Sequence, residues 1–392
     1  IAHALNAVAW AEALPGAEAV EAELTANGVL IQALMATRGW AHPQVKAAAD
    51  RSAELIPRLP PDNQHRVPTL WFLFTYHHVA SNRQAARTIA AQLVAVAERS
   101  PDPGLLAAAM MLRGLALFID GDHASAAPIF ERAIALYDPD RHRDHAARFG
   151  LDSLVMAKAF MAHIRWFSGD RSGAFALVAD AIAWARTLGH VPSIALGLLY
   201  GCTIQQRAGD RSAVLAMAAE ILALSSKYGL PAYEGYATTL QAWATHDDQR
   251  IRAITSGLTE LGCKLALSYY ASLAADAQAE RGEIDAAIAC VDHCLSLCHD
   301  NDEHFYEPEL HRRRAMYEAR NDPAAEGVRT SLEQAVRLAR QNAMPRIEAL
   351  ATLDLLRWFG GGEQHRARLD ELLTLHPGLR ELETDRHAGR NR

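Results

Sequence analysis

A short polar turn built on Gly or Asn recurs roughly every forty residues. It appears at Gly39, Asn82, Gly121, Gly169 and Gly209, in degenerate form at His246-Asp247, and again at Gly282, Asn321-Asp322 and Gly361. After most of these marks comes an Ala-rich amphipathic segment, then a second turn, then another such segment. Gly121-Asp122, Gly169-Asp170 and Gly209-Asp210 repeat nearly the same phrase, and Gly282-Glu283 is a close variant. A period of this size predicts stacked helix pairs, each burying its apolar face on its neighbours: an α-solenoid. Such an array makes surface rather than chemistry, so the sequence speaks more plainly of shape than of ligand.

Composition agrees. Half of the 392 residues are hydrophobic but only 7% are aromatic. Most of the apolar content is Ala and Leu, which suits close helix packing. Val and Ile are scattered without the alternation strands need. The prediction is therefore all-α. A chain this long would make about two or three ordinary domains, but repeat arrays escape that count because each unit packs only on its neighbours.

The clearest unit sets the grammar. Residues 151–167 read as a first helix, with Leu154, Val155, Ala159, Ile164 and Trp166-Phe167 as apolar positions. Ser168-Gly169-Asp170 is its turn: Gly takes the left-handed backbone that ends one helix, and Asp caps the next. The second helix spans 172–188, with Phe175, Val178, Ile182 and Ala185 at spacings of three and four. The phrase returns with helices over 194–207 and 212–228. Further helices are expected at 43–56, from after Asn82 to 99, from after Gly282 to 298, and at 328–342. A last one over 364–375 follows Gly360-Gly361-Gly362. The expected division is a repeat array over 1–360, a capping helix within 361–383 and a disordered polar tail over 384–392.

The spacing is uneven in one place. Gly121 to Gly169 is 48 residues, against 40 from Gly169 to Gly209. The extra length is Tyr137-Asp138-Pro139-Asp140-Arg141-His142-Arg143, continuing to Phe149-Gly150. Loops added to solenoids often serve binding.

The stretch from Ala133 to Gly150 resembles a signature in the C-terminal tetratricopeptide-like region of large bacterial signalling ATPases. Leu136, Tyr137, Asp138, Pro139, His142, Arg143, Phe149, Gly150 and Asp152 carry the match. Leu188-Gly189-His190, Tyr228-Gly229-Leu230-Pro231 and the run from Glu303 to Leu310 fit in order, so the resemblance covers roughly residues 20–350. It implies a right-handed α-solenoid of about eight or nine tetratricopeptide-like helix-turn-helix repeats. It also implies a sensor or scaffold arm behind an ATPase module, itself preceded by a cyclase or winged-helix domain. No G-x-x-x-x-G-K-[ST] phosphate loop occurs in this sequence, so the motor is not here. Trp166-Phe167-Ser168-Gly169 departs from the family's Leu-rich phrase, and the unit near His246 is eroded.

Charge and cysteines narrow the function. A net charge of −7 argues against nucleic acid, whose binders carry a basic balance. Five cysteines, an odd number with three inside nine residues, do not make a secreted disulfide framework; a cytoplasmic setting is expected. The apolar stretch 105–119, broken by Arg113, is too short to span a bilayer. No signal peptide is present, and the start at Ile1 reads as a piece of a longer protein with upstream domains.

Each candidate site competes with an ordinary packing role. Arg141, His142, Arg143 and Arg148 of the insertion could grip a phosphate or carboxylate; the plainer reading pairs Arg143 and Arg148 with Asp138, Asp140 and Asp144. Cys290, Cys294 and Cys298 share one helix face, where packing at a helix crossing outweighs a metal. His77-His78 point apart on an aromatic helix. Arg312-Arg313-Arg314 should pair with Glu303, Glu307 and Glu309. No nucleophile elbow or His-Glu-x-x-His occurs, so no catalytic residue, metal or cofactor is expected. The first helices of the pairs should line a concave groove, with Tyr200, Gln205, Tyr233, Tyr236 and Trp243 as contacts. The groove should hold a protein or peptide partner; the alternative is a metabolite on which it closes.

Overall fold

The computed structural model describes residues 1–14, 17–40, 42–60, 63, 65–360 and 362–382; Gly361 and the expected tail 384–392 lie outside them. Three helices open the chain: α1 (Ala2–Glu12), α2 (Ala17–Arg38) and α3 (Pro43–Leu55). Antiparallel pairs follow: α4 (Arg66–Val79) with α5 (Arg83–Ala97), and α6 (Pro103–Ile119) with α7 (His123–Leu136). A short α8 (His145–Phe149) sits in the insertion. Then come α9 (Ser153–Ser168) with α10 (Arg171–Leu188), α11 (Val191–Ala208) with α12 (Arg211–Tyr228), and α13 (Pro231–Ala244) with α14 (Asp248–Glu260). The array ends with α15 (Leu267–Glu280) and α16 (Ile284–Asp300), α17 (Glu307–Glu318) and α18 (Glu326–Gln341), and α19 (Pro345–Phe359) and α20 (Glu363–Leu375). A single turn of 3-10 helix, Pro377–Arg380, packs beyond α20. The architecture is a right-handed all-α solenoid, and every regular element among the described residues is helical.

The turn phrase works as its chemistry dictates. Gly169 ends α9 at φ 92°, and the Asp170 carboxylate accepts from the Gly173 N–H at 2.9 Å. Asp122 caps Ser125 N–H and Asp210 caps Ala213 N–H, each at 3.0 Å. The eroded unit keeps the geometry without glycine: His246 takes φ 61° and Asp247 caps Arg250 N–H at 3.0 Å.

Small residues set the spacing within pairs. A Cβ on Gly114 would lie 2.8 Å from the Phe130 ring, so α6 and α7 approach closely because position 114 has no side chain. Phe130 is fully buried there; burial of such a ring contributes about 1.5–3 kcal/mol.

The superhelix then closes on itself. The Val79 carbonyl at the end of α4 accepts from Lys264 N–H (2.9 Å) and Leu265 N–H (3.2 Å), just before α15. One repeat later the Ile119 carbonyl, at the end of α6, accepts from His304 N–H (2.9 Å) and Phe305 N–H (3.2 Å), just before α17. Gly169, at the end of α9, meets Gly378 and Leu379 of the last 3-10 turn. These three rungs join successive superhelical turns. Arg87 braces the second, reaching Asp120 (2.7 and 2.8 Å) and Asp302 (2.7 Å). One hydrophobic core consequently runs from Ala4 to Ile347. The predicted concavity is drawn in where the superhelical turns meet, rather than left as an open trough.

Candidate functional site

The interior keeps two small adjoining cavities, of about 120 and 50 Å³. Trp40, Phe160, Leu196, Tyr200, Tyr233 and Leu265 line both. The larger lobe is walled by α4, α6 and α9, with Trp71, Phe74, Leu112 and Met156 facing it. The smaller is walled by α11, α13 and α15, with Thr203, Arg207, Tyr236 and Tyr269. Thus both superhelical turns contribute, and Trp40 stands edge-on to Tyr233 at 5.4 Å where α2 meets α13.

Tyr200, Thr203 and Arg207 recur at spacings of three and four, which puts them on one face of α11. Thr203 Oγ donates to the Tyr200 carbonyl at 2.7 Å and lies 3.2 Å from His163 Nε2 of α9. Arg207 Nη1 lies 3.0 Å from His163 Nδ1. Arg207 donates to Nδ1, so Nε2 carries the proton that Thr203 accepts. The guanidinium sits over Phe167, Tyr269 and Tyr306, at 4.6, 5.0 and 5.4 Å from the ring centres. His123 is sandwiched between Phe118 (4.9 Å) and Phe167 (5.3 Å). Burial first, and the Arg207 charge second, hold His123 near a pKa of about 3 and His163 well below its usual range. Both rings are neutral at physiological pH.

Several polar atoms here have no partner. The Tyr233 and Tyr236 hydroxyls, His78 Nε2, both His123 nitrogens and Arg207 Nε are buried without a hydrogen bond. Burial raises the Tyr200, Tyr233 and Tyr236 phenols, so they stay protonated. An unpaired buried polar group costs about 1–3 kcal/mol. Such groups gathered around an apolar space are what a site for a polar-headed ligand needs.

The sequence-predicted residues divide. Tyr200, Tyr233 and Tyr236 line the cavities. Gln205 is half-buried on another face of α11; its neighbour Gln206 is the inward one, accepting from the Tyr269 hydroxyl at 2.8 Å. Trp243 is interior but lies at the far end of α13, where its Nε1 donates to Asp276 (2.9 Å) under the Arg211 guanidinium (4.5 Å).

The insertion folds as a brace. Tyr137 Oη lies 2.8 Å from the His142 carbonyl and 2.7 Å from Asp152 Oδ2, both buried. His142 Nδ1 accepts from Asp138 N–H (2.8 Å), and its ring packs where a Cβ on Gly104 would stand. Arg143 and Arg148 do not take the expected aspartate partners: Arg143 covers the Trp184 ring (5.7 Å) and Arg148 the Phe149 ring (5.6 Å). Asp138 instead accepts from the Asp140 N–H at 2.9 Å. Arg141 is exposed.

The other clusters are packing. Cys294 and Cys298 are buried against α15 and Cys290 is half-buried, its thiol 3.6 Å from the Ala271 carbonyl. Among the described residues no three His, Cys, Asp or Glu side chains are arranged to hold a metal. Arg312 pairs with Glu309 (2.7 Å) as expected, but also with Asp354 (3.5 Å). Arg313 and Arg314 reach other helices, Arg313 to Asp276 and Arg314 to Asp292 at 2.7 Å. Glu303 instead accepts from the Ala266 N–H and Glu307 lies 2.8 Å from His304 Nδ1. Of the histidine pair, His78 is buried and His77 half-buried.

Fold and interior together define a tetratricopeptide-like repeat scaffold. It is similar in fold to Rap protein complexed with Competence and Sporulation Factor: TM-score 0.57 and 8% identity, over 93% of this chain and 99% of that one. It is also similar to the Cut9-Hcn1 hetero-tetramer of APC/C, at TM-score 0.51 and 14% identity, over 94% of this chain and 59% of that one. An uncharacterized protein of Rhizobium meliloti (strain 1021) is 23% identical over 227 residues, which is 56% of this chain and 22% of that protein. The chain thus spans about a fifth of the length of that curated relative. No family model matches. Among the described residues no helix is long and apolar enough to cross a membrane.

Proposed function

We propose that this chain is the non-catalytic sensor arm of a larger bacterial signalling ATPase, and that its superhelix closes on a small-molecule effector. The observation that carries the reading is the pair of tyrosine hydroxyls, Tyr233 and Tyr236, buried and unpartnered beside apolar space between two superhelical turns. A ligand oxygen there would satisfy them, and ligand bulk would set how closely the turns approach. The backbone rungs at Val79 and Ile119 would pass that change along the array. The ATPase setting rests on the sequence resemblance, and the five free cysteines fit a cytoplasmic one.

The test is a thermal-shift screen of the chain against metabolites, since a ligand of the native state raises Tm by mass action. A dose-dependent rise that Tyr233→Phe with Tyr236→Phe weakens supports the reading. A rise unaffected by both substitutions, or none across the screen, sinks it.

One observation favours a second reading, in which the array docks on another protein. Trp10 is 74% exposed on α1, with Leu5, Leu14 and Val29 also exposed near this end, and exposed apolar surface of this kind marks partner contacts. Loss of a captured partner on Trp10→Asp, without loss of Tm, would support that reading.

A further inference from the structure

We propose that the interior ligand is a small carboxylic acid, aromatic or branched, whose head is held by Arg207. The proposal rests on the sensor reading and adds the chemistry of the ligand.

Among the described residues Arg207 lines the smaller cavity without a carboxylate partner; Arg83, also buried without one, gives its guanidinium to the His78 ring and carbonyl and lines neither cavity. Arg312 has Glu309 and Asp354, Arg313 has Asp276, and Arg346 has Glu381 at 2.8 Å. Among the described residues no carboxylate forms an ion pair with Arg207; the guanidinium meets neutral groups, the His163 imidazole and the Tyr269 phenol. Three aromatic rings hold the guanidinium in place, and its Nε is buried without an acceptor. A positioned, partly desolvated cation facing a cavity calls for an anion, and guanidinium grips a planar carboxylate with two parallel bonds. The His123 and His163 rings beside it are neutral, so the site presents one positive charge. One charge matches a carboxylate better than a doubly charged phosphate.

The body of the ligand follows from the second lobe. Its 120 Å³ is bounded by Trp71, Phe74, Leu112 and Met156. An apolar cavity of about 150 Å³ accepts a benzene ring in another protein. The lobes meet at Tyr200 and Tyr233, so a head in the smaller and a ring or branched chain in the larger fit one molecule of metabolite size. A peptide backbone would need more room.

The test uses 3-phenylpropanoate and its amide, which differ only in the head. Binding is read by Tm and by tryptophan fluorescence, with Trp40→Phe identifying the signal from the cavity wall. The acid should bind at least about tenfold more tightly than the amide, the difference a charge-assisted bond supplies. Arg207→Gln should erase that preference with helical content unchanged. Arg207→Lys, which keeps the charge and loses the fork, should retain part of it and covers the case in which the Gln variant does not fold. Equal binding of acid and amide, or undiminished acid binding by Arg207→Gln, overturns the carboxylate assignment and leaves the interior cavity standing. If neither probe changes Tm or fluorescence at about 10 mM, weaker than any useful sensor, the cavity reading falls with it.

Discussion

At the scale of single residues, Glu303 is the most exposed to pH. It is fully buried, accepting from the Ala266 N–H and, at 3.3 Å, from the Ser268 hydroxyl. Burial pushes its carboxyl up to about 7, against opposing pulls from Arg83, those two bonds and His304. A carboxyl with a raised folded pKa binds its proton more tightly in the native state. Its contribution is therefore complete below the unfolded value of 4.5 and is lost as pH rises through about 7. Neighbouring groups titrate too: His304 is raised, chiefly by its bond to Glu307, and His78 is lowered by burial. The informative quantity is thus the difference between Glu303→Gln and the parent. We expect the variant to gain on the order of 3 kcal/mol over the parent between pH 5 and pH 8, read as urea midpoints at each pH. A difference that does not change with pH would refute the assignment. Tyr137 makes a second case. Tyr137→Phe removes the one hydroxyl proton that the buried His142 carbonyl and Asp152 compete for, and should cost about 1–3 kcal/mol. Chemical denaturation giving a loss under about 0.5 kcal/mol would show the brace to be dispensable. The sequence made the insertion stand out but not its role: Arg143 and Arg148 read as charges seeking aspartates, whereas Arg143 covers Trp184 of α10 and Arg148 the adjacent Phe149 ring. Arg207 was hidden for a related reason. A lone Arg in the last turn of a helix reads as a solvated partner of the terminal carbonyls.

At the scale of elements, the turn phrase explains why so much of the fold is legible in sequence. The predicted helix over 172–188 is α10, Arg171–Leu188, and that over 212–228 is α12, Arg211–Tyr228. Gly-Asp encodes both a stop and a start, so boundaries fall within a residue or two. The first helices are less exact, 194–207 against Val191–Ala208, because Pro192 enters the first turn and extends the helix backward. Gly169 carries an extra burden. Its φ of 92° is unfavourable for other residues, and the space beyond its Cα is taken by Leu379. Gly209 adopts φ 77° with open space around it. Alanine at 209 should therefore cost about 1–2 kcal/mol from backbone strain alone, and alanine at 169 distinctly more. Calorimetry of the two variants separates the terms; equal losses would mean that the contact with Leu379 contributes nothing.

At the scale of the whole molecule, what could not be read was closure. Repeat grammar fixes how each helix pair meets the next, but the contacts that shut the interior join residues far apart in the chain, Val79 with Lys264 and Ile119 with His304. They are backbone bonds, so no side-chain pattern announces them, and the open groove that periodicity suggests becomes a nearly filled core. The last rung tests whether closure is built from separable joints. A Cβ on Gly378 would collide with the Gly169 carbonyl, an atom of backbone that cannot swing aside. Gly378→Val should release the terminal 3-10 turn and loosen the bonds that Glu381 makes with Arg346 (2.8 Å) and Arg171 (3.8 Å). It leaves the Val79 and Ile119 rungs untouched. Because stability in repeat arrays is the sum of nearest-neighbour terms, hydrogen exchange should quicken over α20 and the start of α10 while amides of α4, α6, α15 and α17 keep their protection. A loss of protection spread evenly along the chain would instead mean that the rungs act as one cooperative clasp, and that a ligand in the interior would be felt at both ends at once.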